Sequence, residues 1–272
     1  MEKNNNKKNA AAKPDMKKKK IQQKEKYTTN KSDDIKEKFV LFLDIMGFKE
    51  RVNRVGINDL KQQLMLFNTK IEEIKPSLYG GTNVNIQMAQ FSDSIVLVTK
   101  DVKTEHLNRI SRAAAKIMQT GMETGFALRG AIAKGKMVFD KKHQLFFGKA
   151  LVDAYLLEEE LGYYGIVFHE SMEEIITQAK NEKIEIPIAD TVVPLKKGKS
   201  RHYHVSWYEL NNDMQIGSIK EDAIKWLNNL RGTVSGNPRV YLDNTINVIE
   251  EEEKKETKSI KLYNSNTDNS NT

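Results

Sequence analysis

The hydrophobic positions of this chain fall into segments of two periods. Residues 39–43, Phe-Val-Leu-Phe-Leu, are apolar without a break and rich in β-branched and aromatic members, which predicts a strand buried on both faces. The run ends on Asp44 and passes through Ile45 into Met46, Gly47 and Phe48. Leu60, Leu64, Phe67, Ile71 and Ile74 then recur at three-to-four spacing, predicting an amphipathic helix stopped by Pro76. A turn and strand follow in GGTNVNIQMAQ, and a second strand in FSDSIVLVTKD, with a hairpin between them. Thr104 opens a helix with Leu107, Ile110, Ala114, Ile117 and Met118 on one face, ending near Gly121 and Gly125. FALRGAIAKGKMVF reads as a strand and QLFFG as a shorter one. KALVDAYLLEEEL is a third helix, GIVFH a strand, SMEEIITQA a helix and RHYHVSWYEL a late alternating strand. Ser218 and Glu221 form a capping box for a last helix with Ala223, Ile224 and Leu227 on its apolar face.

The order β-α-β-β-α-β-β-α-β predicts an α+β fold, a ferredoxin-like mixed or antiparallel sheet with packed helices. One domain is expected over 36–249, with a core at 39–210 and a C-terminal helical extension at 218–249. Disordered tails are expected at 1–35 and 250–272.

Composition changes this picture in two places. Of the net charge of +7, residues 1–27 supply the whole, with ten lysines against Glu2, Asp15 and Glu25. The rest of the chain is close to neutral, so no specific nucleic-acid partner is expected and the leader reads as a solvated tail. There are no cysteines, which excludes disulfides, thiolate-metal sites and cysteine nucleophiles and fits a cytoplasmic protein. No apolar run approaches the roughly 20 residues that cross a bilayer, so no membrane partner is expected.

The candidate chemistry is two aspartates. Asp44 ends the first strand and Asp93 sits at the hairpin turn, and a ferredoxin-like topology makes these neighbours at one edge of the sheet. Singly, each reads as a turn residue. Together they repel and raise each other's pKa unless a cation intervenes, and hard oxygen ligands suit magnesium or manganese. His202 and His204, two apart on one strand, read as sheet-face residues; LEEEL reads as a solvated helix face; Trp207 and Trp226 read as core or interface anchors.

In these residues the chain resembles the class III nucleotide cyclases. It has FLDIMGF at the end of the first strand, FSDSIVL at the hairpin with Ser92 where the family carries glycine, RGAIAKG in the long strand, GKALVDA at the third helix and LKKGKSRHYHVSWYEL late in the domain. The resemblance implies two Mn2+ or Mg2+ ions on Asp44, Asp93 and the carbonyl of Ile45. It implies phosphate contacts from the amides of Met46, Gly47 and Phe48 and from Arg129, and a homodimer with its active sites at the interface. The chain departs from the family at Ala89 and Leu145, where purine-specific members read the base. It departs also at Val152 and Leu156, where they carry the transition-state Asn and Arg. Asp153 and Tyr155 stand beside the vacated positions as weak pocket candidates. GKALVDAYLLEE is similar to the third helix of the bacterial pyrimidine cyclases of Pycsar antiphage systems. That implies a phosphorus–oxygen lyase making cyclic UMP or cyclic CMP for a companion effector. The alternatives are a purine cyclase, a palm-type nucleotide synthase and a non-catalytic pseudo-cyclase.

Overall fold

The computed structural model describes residues 35–79, 86–211, 213 and 217–268. The lysine-rich leader (1–34), residues 80–85, where a turn is predicted, and residues 212, 214–216 and 269–272 lie outside the described residues. The elements form one compact unit, Lys36–Thr272. In chain order they are β1 (Lys36–Ile45), α1 (Phe48–Arg54), α2 (Ile57–Tyr79), β2 (Ile86–Phe91), β3 (Ser94–Thr99), α3 (Thr104–Glu123), β4 (Leu128–Asp140) and β5 (Leu145–Gly148). There follow α4 (Lys149–Glu160), β6 (Ile166–Phe168), α5 (Glu173–Asn181), β7 (Ile188–Leu195), β8 (Gly198–Val205), α6 (Lys220–Arg231) and α7 (Asn237–Asp268).

The eight strands make one mixed sheet in the order β2-β3-β1-β4-β6-β8-β7, with β5 paired to β4. Its first four strands stand in the ferredoxin-like order 4-1-3-2, antiparallel throughout, and only the β4–β6 pair is parallel among the described strands. β1 is central and buried on both faces, as its apolar run requires. Phe39, Leu41, Leu43 and Ile45 enter the main core, while Val40 and Phe42 pack on the opposite face with Val96, Val98 and Ala150 of α4. Each large side chain so buried stabilises the fold by about 1.5–3 kcal/mol. Gly130 on β4 lets the strands close: a Cβ there would lie 2.4 Å from the Phe42 carbonyl oxygen.

Four elements differ from the sequence reading. α2 continues through Pro76 to Tyr79, because a proline in the last turn removes only one intrahelical bond. β7 was not anticipated; its sequence IADTVVPL is broken by polar residues and Pro194, which an edge strand tolerates. The late strand ends at Val205 and gives way to a 3-10 turn, Trp207–Glu209, that buries Trp207. The Ser218–Glu221 box is half formed: Ser218 Oγ accepts from Lys220 N at 3.3 Å, one residue outside the predicted register.

The expected domain end at 249 falls inside α7. Three residues further, Glu252 is buried and meets the buried His204 through Nε2, while Ser206 Oγ lies 3.3 Å from its other oxygen. Burial alone would raise this carboxyl, but the adjacent imidazole together with neighbouring hydroxyls outweighs it and holds the pKa below the ordinary range. Stability from this pair is therefore present above the ordinary glutamate pKa and is lost as pH falls through the depressed one. Glu252→Ala is expected to cost about 3 kcal/mol at neutral pH in urea unfolding, with the deficit shrinking in acid; an equal deficit at both pH values would show that packing, not the ion pair, anchors α7.

Candidate active site

The end of β1 lies beside the β2–β3 turn because β2 runs parallel to β1 with β3 between them. In register, Asp44 faces Ser94 of β3 and Arg129 of β4. Ile45 N donates to the Asp93 carbonyl at 2.9 Å, so the two aspartate-bearing segments are directly bonded. In an antiparallel ladder a residue's carbonyl points the same way as its N–H, which turns the Ile45 carbonyl toward the hairpin as well. Ser92 takes a left-handed φ of 53°, a conformation that glycine adopts without cost.

The site's electrostatics are those of an unneutralised acid pair. Asp44, half-buried, has its carboxyl pushed up to about 6, first by burial and then by the Asp93 charge, with Arg129 acting the other way. Among the described residues no group of three or more His, Asp or Glu is gathered to hold a metal. The donor set is two carboxylates and a main-chain carbonyl. That set fits Mg2+ or Mn2+, which commonly bind one or two carboxylates and take the remaining ligands from water and substrate phosphate.

After β1 the chain turns at Gly47, whose φ of 72° is left-handed, and enters α1. A Cβ at Gly47 would meet nothing within 4 Å, so the glycine is needed for its backbone angle rather than for space. Of the three candidate phosphate amides, that of Met46 is committed to the Ala127 carbonyl at 2.9 Å, which leaves Gly47 and Phe48. Arg51 pins α1 from behind: it donates to the Gly125 carbonyl and lies 4.9 Å from the centre of the Phe126 ring.

Arg129 is buried at 5% exposure, not a surface strand arginine. Its Nε bonds Glu158 Oε1 at 2.5 Å and its Nη1 the Leu161 carbonyl at 3.0 Å. Glu158 belongs to the LEEEL segment and is 2% exposed, which corrects the solvated-face reading. A buried glutamate in an acidic helical run gives no sequence signal; only the pairing of α4 with β4 reveals it.

The weaker pocket candidates are dispersed. Ala89 is half-buried in mid-β2 opposite Val96, and Leu145 is exposed on β5. Asp153 is engaged by Lys149 at 2.7 Å. Tyr155 packs edge-on to Phe42, ring centres 5.4 Å apart, and is itself an exposed residue. Val152 and Leu156, four residues apart, are exposed on the same α4 face.

No family model matches the chain, and no curated protein does. Among solved structures it is similar to a class III adenylyl cyclase-like ATP-binding protein from Pseudomonas aeruginosa, at 11% identity and a TM-score of 0.39. The match covers 62% of this chain and 38% of that one, so the chain spans well under half of that protein. At that distance, what the site can do is decided by the chain's own residues.

Divalent cation is expected to raise the melting temperature of the full chain in Mn2+ against chelator, and Asp44→Asn or Asp93→Asn to abolish the rise. In chelator, wild-type stability should fall as pH climbs from 3.8 to about 6, because the folded chain holds the Asp44 proton longer than the unfolded chain does. Asp44→Asn should lack that fall; a fall of the same size in the variant would remove Asp44 as its source.

Proposed function

We propose that this chain is a divalent-metal-dependent nucleotide cyclase that closes a pyrimidine nucleoside triphosphate, UTP or CTP, to its 3′,5′-cyclic monophosphate with release of pyrophosphate. The observation that carries this reading is the convergence of Asp44 and Asp93 at the rim of a ferredoxin-like sheet, beside the Gly47 turn.

Asp44, Asp93 and the Ile45 carbonyl would hold two Mn2+ or Mg2+ ions, which when bound supply Lewis acidity at the ribose 3′-hydroxyl and charge for the departing pyrophosphate. The Gly47 and Phe48 amides and the guanidinium of Arg129 orient the triphosphate. Ala89 and Leu145 offer no polar side-chain group for a purine edge, so the discrimination that purine-specific cyclases make there is lacking. Exposed apolar residues on one side of α4 and β5, Phe147, Val152, Tyr155 and Leu156, support a homodimer completed across that face. The product would serve as a diffusible signal for a companion effector, as in the antiphage systems the chain resembles. No helix among the described residues is long and apolar enough to cross a membrane.

A second reading, a nucleotide-binding protein without turnover, is favoured by one feature: Arg129 is tied to Glu158, and no polar side chain stands at Val152 or Leu156.

Incubation with each of the four nucleoside triphosphates and Mn2+, followed by mass spectrometry, is expected to yield cyclic UMP or cyclic CMP. Asp44→Ala and Asp93→Ala should each lower the yield at least 100-fold with the fold retained. Nucleotide binding without any product would support the second reading, and a linked dinucleotide would point to a palm-type synthase. Leu156→Glu is expected to give a monomer by light scattering; a dimer that survives it would place the interface elsewhere.

A further inference from the structure

The unanticipated residue of the site is Glu158, and its geometry raises a question of role. Arg129 lies between two acids: Asp44 is its cross-strand neighbour, yet its bonds run to Glu158 and to the Leu161 carbonyl. The Arg129 and Glu158 side chains are 6% and 3% exposed, so parting them would strand a buried charge. The bonds use Nε and Nη1, leaving Nη2 without a hydrogen bond to the described residues.

The second anchor is itself rigidly held. Leu161 N donates to the Glu158 carbonyl at 3.1 Å, and Gly162 N to the Pro194 carbonyl at 3.0 Å. α7 reaches over the same loop: Asn244 Nδ2 donates to the Gly162 carbonyl at 2.7 Å, and Thr245 Oγ1 accepts from Tyr164 N at 2.9 Å. Gly130 N, next to Arg129, closes the circuit on the Gly165 carbonyl at 3.0 Å. A surface ion pair has no such scaffold; here the loop that carries one partner of the guanidinium is bonded to three neighbouring elements, β4, β7 and α7.

We infer that Glu158, together with the Leu161 carbonyl, is the positioning partner that fixes the Arg129 guanidinium for a triphosphate at the Asp44–Asp93 rim. This rests on the reading of Arg129 as a phosphate ligand. Two effects of Glu158 must be separated. Its charge opposes an anion, so losing the charge alone would tighten binding. Its oxygen aims the guanidinium, so displacing the oxygen would weaken binding even with the charge kept.

Three variants resolve these effects, with inorganic triphosphate and Mg2+ as the probe, titrated by calorimetry into the full chain. Glu158→Asp keeps the charge but withdraws the acceptor by one methylene, and is expected to weaken binding about tenfold, since misplacement of an ångström is costly. Glu158→Gln keeps the acceptor and loses the charge, and should bind no more weakly than wild type. Glu158→Ala should weaken binding, with Gln rescuing it; if Ala fails to fold, the Asp and Gln pair still decides. Unchanged binding in Glu158→Asp with tighter binding in Glu158→Gln would overturn the inference and leave Glu158 as a mere opposing charge. Absence of triphosphate binding in wild type would also overturn it. Because the readout needs no turnover, a chain that binds triphosphate but makes no cyclic nucleotide would sink the cyclase reading and leave this inference tested.

Discussion

Two like charges held against each other at the edge of a sheet are the constraint around which this molecule is arranged. β1 carries Asp44 at the end of its apolar run Phe39–Leu43, and the β2–β3 turn brings Asp93 beside it through a backbone hydrogen bond from Ile45. Nothing in a folding argument calls for that. Coulomb repulsion and burial both oppose the charged form of Asp44, and the chain could relieve them with an asparagine or a serine. An acid pair of this kind, kept at a sheet edge beside a left-handed glycine, is the feature on which the proposal of a cation site rests.

The surroundings show the same economy of charge. The nearest cation, Arg129, moderates Asp44 but bonds elsewhere, to Glu158 and the loop that α7 holds down. Asp44 and Glu158 thus share one guanidinium, and Asp93 adds a third carboxylate beside Asp44. A site with net negative charge cannot hold a triphosphate unaided; with two divalent cations the balance reverses. The metal dependence of the proposed function is in this sense a consequence of the charge count.

Most of the fold was legible because it is written in local periodicity. The unbroken Phe39–Leu43 run, the three-to-four spacing before Pro76 and the same spacing from Leu107 to Met118 each state their element without reference to the rest. What was not legible is long-range. β7 lacks an apolar pattern of its own because edge pairing to β8 shapes it. His204 and Glu252, 48 positions apart, look like a sheet-face histidine and a frayed acidic tail until the fold joins them. Asp44 and Asp93 were readable as a pair because the topology that unites them could be inferred from element order. Glu158 was not, since its identity as a buried partner depends on which face of α4 meets β4.

The most direct measurement of the central claim is anomalous diffraction from crystals grown or soaked with Mn2+. The account predicts manganese peaks within coordination distance of the carboxylates of Asp44 and Asp93. Crystals that hold manganese away from both residues, or none with the two side chains turned apart, would contradict it.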